Sequence, residues 1–158
     1  MIRYLWALGL VFLLAGPAHA QSRDPGARPA PAARVAQKVD VQLRVVHATD
    51  AETGVDPRLQ SLASSFRYFK YKGYRLLSTQ NAEIAVGGET TWSVEGGRRI
   101  TISVLSFDEA RARIRVQMSS ASGKMLDTTV NINRNGTVII SGPSYQGGIL
   151  MLPVTASY

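Results

Sequence analysis

The 158-residue sequence predicts a mainly β fold, an antiparallel sandwich or meander carrying one short α-helix at about residues 57–66. Three observations lead there. Ala110, Ala112, Ile114, Val116 and Met118 alternate without exception with Arg111, Arg113, Arg115 and Gln117, giving one apolar face and one wet face. Turn signals recur every 9 to 14 residues at Gly87-Gly88, Gly96-Gly97, Asp108-Glu109, Ser122-Gly123, Asn135-Gly136 and Gly147-Gly148, the spacing of an all-β domain. Only Leu59, Leu62, Ala63 and Phe66 form a convincing helical stripe, at i, i+3, i+4 and i+7.

The chain opens on an export signal. Arg3 supplies a short positive region, Leu5 to Ala15 an apolar one, and Ala18-His19-Ala20 small residues at the positions a signal peptidase reads. Cleavage is therefore expected before Gln21, leaving a periplasmic or extracellular product. The apolar run is too short for a bilayer and is broken by Gly16-Pro17, and no second such run follows. No membrane span is expected after cleavage. Residues 21–38 read as a Pro/Ala/Arg-rich disordered linker, with Pro25, Gly26, Pro29 and Pro31 and no apolar periodicity.

A single β-rich domain then fills residues 39–158, and 120 residues bury roughly two-thirds of their extended surface. Val39, Val41, Leu43 and Val45 alternate with Asp40, Gln42 and Arg44 as a first strand. Asp56 caps the helix and Pro57 fits its first turn, so the helix should lie across a sheet or plug the end of a sandwich. Phe69 to Ser78 reads as an aromatic-rich extended segment. Trp92 to Glu95 and Arg98 to Phe107 flank Gly96-Gly97 as a two-residue hairpin. Leu126 to Asn133, Thr137 to Ser141 and Ile149 to Thr155 complete the set. Pro153 cannot donate to a ladder, which assigns the last strand to an edge.

Composition narrows the chemistry. There is no cysteine, which removes thiol nucleophiles, thiolate metal sites and disulfides, and suits a bacterial periplasm. The net charge of +7 divides into Arg3, a net +3 in residues 21–38 and a net +3 in the folded part, too mild to imply nucleic acid. Once His19 is cleaved away, His47 is the single histidine. It continues the apolar face of the first strand and reads as a hydrogen-bonded core residue. No Gly-x-Ser-x-Gly elbow, zinc set or calcium loop occurs. Asp50, Glu52 and Asp56 are explained by capping, and Asp108-Glu109 by a turn. No catalytic residue, cofactor or metal is expected, and the chain is read as a non-enzyme.

The one unusual patch is Arg67, Tyr68, Lys70, Tyr71, Lys72, Tyr74 and Arg75, where basic and aromatic side chains interleave. Lys72-Gly73-Tyr74 echoes the start of an RNA-recognition strand, but Arg75 and Leu76 depart from it, and nucleic acid is not an expected partner. The patch is read as a contact surface for an envelope protein, with a carbohydrate or anionic envelope polymer as the alternative. The Arg111, Arg113, Arg115 row is expected to pair with acids across the sheet or to protect an edge.

Residues 126–143, from Leu126-Asp127-Thr128-Thr129-Val130 through Asn135-Gly136 to Val138-Ile139-Ile140 and Gly142-Pro143, resemble the C-terminal β-hairpin of bacterial secretins. The sequence departs from that pattern with Ser141-Gly142-Pro143 at a Gly-Gly position, and it lacks the secretin barrel domain. The resemblance implies a small periplasmic β-domain accessory to envelope secretion or pilus machinery, and no catalytic residue.

Overall fold

The computed structural model describes residues 37–158. The expected signal peptide and all but the last two residues of the expected linker lie outside the described residues. Nine strands and one short helical segment follow in order: β1 (Lys38–Thr49), β2 (Gly54–Val55), a 3-10 turn (Pro57–Leu62) running into α1 (Ala63–Phe66), β3 (Gly73–Ala85), β4 (Glu89–Val94), β5 (Arg98–Phe107), β6 (Arg111–Ser120), β7 (Gly123–Asn133), β8 (Gly136–Tyr145) and β9 (Gly148–Ser157). They form two sheets, a five-stranded one in the order β2-β3-β1-β9-β8 and a four-stranded meander in the order β4-β5-β6-β7. All pairings are antiparallel except that of β2 with β3. The fold is mainly β, as the alternation and turn spacing predict, and is a sandwich.

Period-two patterning builds the core between the sheets. Val39, Val41, Leu43 and Val45 of β1 and Leu150, Leu152, Val154 and Ala156 of β9 face Ile100, Ile102 and Val104 of β5 and Ala112, Ile114, Val116 and Met118 of β6, all buried. Each Val, Leu, Ile or Met among them contributes about 1.5–3 kcal/mol of transfer free energy, and the two alanines less.

A second, smaller core lies on the outer face of the five-stranded sheet. Asp56 accepts a hydrogen bond from the Arg58 backbone N–H, and Pro57 starts the turn. Leu59, Leu62 and Phe66 are buried against Val46, Ala48, Leu76, Tyr74 and Met151. The helical segment therefore lies across a sheet. Its first six residues are 3-10, which stacks Leu59 above Leu62 because side chains three apart eclipse in that geometry. A bulge lets β3 serve both cores: pairing steps from Val45↔Ser78 to Val46↔Leu76, leaving Leu77 extra, so that Ala82 and Ile84 face the first core and Tyr74 and Leu76 the second.

Several connections differ from expectation. Gly87-Gly88 and Asn135-Gly136 do not close hairpins but carry the chain from one sheet to the other, so β7 pairs only with β6 and β8 only with β9. Residues 126–143 thus form a strand–turn–strand split between two sheets. The β4–β5 connection is Glu95-Gly96-Gly97, three residues with both glycines at positive φ. The last strand is not an edge. β9 lies between β1 and β8, and Pro153 falls where the β1–β9 pairing lapses between Leu43↔Val154 and Val46↔Met151. A residue without an N–H is tolerated at such a gap.

Candidate functional site

The basic–aromatic segment is not one extended strand. β3 begins only at Gly73, where a Cβ would meet the Glu52 carbonyl oxygen at 2.6 Å. Residues 67–72 instead turn out of α1, with Phe69 N–H donating to the Phe66 carbonyl (3.0 Å) and the Lys72 carbonyl accepting from Gly54 N–H (2.9 Å). The turn sorts the side chains. Phe69 and Tyr71 pack half-buried against the second core. Tyr74 does not belong to the surface: it is buried, its ring stacks on Phe66 (centroids 4.3 Å apart, planes at 13°), and its hydroxyl donates to the Phe66 carbonyl at 3.1 Å. Burial raises the pKa of that hydroxyl. Arg75 is exposed and paired with Glu52 at 3.4 Å.

What remains outward is Arg67, Tyr68, Lys70 and Lys72. Tyr68 is 90 % exposed, the most exposed large hydrophobic side chain among the described residues. None of the three flanking cations has a carboxylate within 4 Å among the described residues. An unpaired cationic loop around a projecting aromatic ring can seat that ring in a partner's pocket while its charges steer toward acidic surface.

The other candidate residues have structural employment. His47 is buried, with Nε2 3.0 Å from the Tyr145 carbonyl oxygen; since a carbonyl only accepts, Nε2 carries the proton. Asp56 accepts from the Arg58 and Leu76 amides and forms a two-pronged pair with the Arg58 guanidinium (3.1 and 2.8 Å), which holds its carboxyl well below the usual range. Asp108 accepts from the amides of Ala110 and Arg111, both at 2.8 Å, and these lower its pKa. Among the described residues no three His, Cys, Asp or Glu side chains converge as a metal site.

The arginine row divides. β6 lies inside its sheet, so no edge is being protected. Arg115 grips Asp127 through two hydrogen bonds of 2.8 and 2.7 Å, joined by Lys124 (2.8 Å) and Gln117 (3.1 Å), and together they hold the Asp127 carboxyl well below the usual range. Arg111 and Arg113 have no carboxylate within 4 Å among the described residues.

Sequence reasoning missed three concavities. One of about 470 Å³ lies over Asp40, Gln42, Asn81, Glu83, Thr155 and Ser157. Another, of about 740 Å³, is lined by Phe107, Glu109, Arg134 and Tyr158 among others. A third, of about 410 Å³, lies against Ser106, Phe107, Arg111, Arg113 and Asn131. Their residues come from strands far apart in the chain, so no local motif announces them. No helix among the described residues is long and apolar enough to cross a membrane. Comparison with known protein families, with curated proteins and with solved structures returned no match to this chain.

Proposed function

We infer that the protein is a non-enzymatic exported binding or scaffold module that docks an acidic protein of the bacterial envelope through residues 67–72. In this reading it is an accessory of envelope secretion or pilus machinery. Tyr68 carries the proposal, projecting 90 % exposed between Arg67, Lys70 and Lys72. A lone, fully projecting ring contributes nothing to folding, whereas an aromatic anchor ringed by cations fits the chemistry of interface hot spots. The apolar signal run before Gln21 supplies the export half of the reading.

The experiment compares mature wild type with a Tyr68→Ala/Lys70→Ala/Lys72→Ala variant, each used to capture protein from solubilised envelope. A band retained by wild type and lost by the variant, at equal melting temperature, supports the proposal. Identical capture by both removes it. Retention of polysaccharide in place of protein transfers this loop to the alternative, an anionic envelope polymer.

A further inference from the structure

β5 carries one extra residue, Leu105, where its pairing with β6 steps from Val104↔Ile114 to Ser106↔Arg113. Such a bulge bends a strand and re-aims its side chains. Beside it lies the depression of about 410 Å³. Pairing places Ser106, Arg113 and Asn131 in one row across three strands, with Arg111 two residues further along the same face of β6. Asp108, at the rim, points its carboxylate to the Ala110 and Arg111 amides. Two guanidinium groups with no carboxylate partner among the described residues, a hydroxyl and a carboxamide thus face one hollow. Two positions along the strand, Arg115 shows what such a group does when an oxyanion is at hand: it binds Asp127 through both prongs.

The larger cavity of about 740 Å³ shares Phe107 and Asp108 with this hollow. Phe107 and Tyr158 form its aromatic wall, with ring centroids 4.7 Å apart, and Arg134 lies over the Tyr158 ring at 5.5 Å. The Tyr158 hydroxyl is shielded from solvent and has no hydrogen-bond partner among the described residues. Glu109 stands on the same wall with no ion-pair partner among the described residues. A ligand body there meets apolar rings, a donor and a carboxylate together.

We propose that the two adjoining hollows form one site for an acidic saccharide, with a carboxylate or sulfate on Arg111 and Arg113 and a hydroxyl-bearing ring against Phe107, Tyr158 and Glu109. Sugar hydroxyls both donate and accept, so they satisfy Glu109 and Tyr158 alike. A peptide side chain offers Glu109 and Tyr158 few groups that both donate and accept, whereas each sugar ring offers several. The site is separate from the Arg67–Lys72 loop and does not rest on the protein-docking reading.

The test is a two-dimensional NMR titration of the mature protein with three probes: tetragalacturonate, a galactose tetrasaccharide bearing sulfate esters and no carboxylate, and neutral maltotetraose. At least one acidic probe is expected to shift resonances of Ser106, Arg113 and Asn131. Affinity should fall at least tenfold in Arg111→Gln/Arg113→Gln and severalfold in Tyr158→Phe, with Lys70→Ala/Lys72→Ala unchanged. Which acidic probe binds identifies the oxyanion. Binding of neither acidic probe, equal binding of maltotetraose, or unchanged affinity in the folded double variant overturns the proposal.

Discussion

The guanidinium of Arg98 lies 5.3 Å from the centroid of the Tyr145 ring, joining β5 of one sheet to the end of β8 in the other. Its Nη2 donates to the Ser144 carbonyl at 3.2 Å and Nη1 to the Glu95 carbonyl at 3.4 Å. Tyr145 in turn receives the His47 ring edge-on, centroids 5.3 Å apart at 87°, and its carbonyl accepts the Nε2 proton. One end of the sandwich is therefore clasped by a polar relay across both sheets. Arg98→Ala should lower unfolding free energy by about 1–3 kcal/mol, from the lost cation–π contact and two hydrogen bonds. Arg98→Lys should recover only part of it, because an ammonium lacks the fork that reaches both carbonyls. Urea titrations of the three proteins decide this, and equal midpoints would refute the clasp.

Gly148 touches the same clasp. A Cβ there would collide with the Ala48 carbonyl oxygen and stand 3.0 Å from His47 Nε2. Backbone cannot retreat cheaply inside a paired ladder, so Gly148→Ala is expected to cost about 1–3 kcal/mol. Gly147, one residue earlier, has open space around its Cβ direction but a φ of +77°. Its alanine variant should therefore suffer only the left-handed backbone penalty, about 1–2 kcal/mol. Comparing thermal midpoints of the pair separates collision from conformation.

Asp127 gives the pH dependence. Hydrogen bonds from Arg115 and Lys124 lower its folded pKa beneath the ordinary carboxylate value of about 3.9. A lowered folded pKa adds stability that is fully present above the unfolded value and is lost as pH falls through the folded one. Asp127→Asn should therefore be less stable than wild type at neutral pH, and the gap should close progressively below about pH 4. Because the cluster is solvent-facing, high salt should also narrow the gap. Parallel denaturation curves at pH 7 and pH 3, each at low and high salt, test both statements.

Ile114 and Tyr68 form the contrasting pair. Ile114 is wholly buried between the sheets, and its alanine variant should lose about 2–5 kcal/mol. Tyr68→Ala should stay within about 0.5 kcal/mol of wild type, since almost none of its ring is removed from water. A large loss at Tyr68 would mean that the ring supports the fold and would undercut the docking proposal.

Local patterns were readable where one rule decided the outcome. The unbroken alternation through Ile114 yields a strand with no competing period, and Asp56-Pro57 with Leu59 to Phe66 locates the helical segment at the right residues. Failures fall where two segments negotiate. Phe69 to Lys72 is rich in strand formers, yet the close approach of Glu52 to Gly73 delays β3. Pro153 reads as an edge residue, but the gap in pairing opposite it exists only after β1 and β9 meet. Asn135-Gly136 specifies a tight turn and does not specify whether the flanking strands pair. Of the basic–aromatic patch, Tyr74 is withdrawn by its stack on Phe66, a contact of residues eight apart that no alternation rule anticipates. Arg111 and Arg113 could be seen as a stripe, but their lack of acids was legible only once β7 had placed Asp127 beside Arg115.

β9 is laid down between β1 and β8, and Asp40 faces Ser157 across that seam. β1 therefore waits, one long edge open, until residues from the far end of the domain pair with it. Closing so distant a pairing is slow, and the meander of β4 to β7 can assemble meanwhile. Until then β1 is paired along one side only, and loss of that final ribbon would strand β8 without a neighbour.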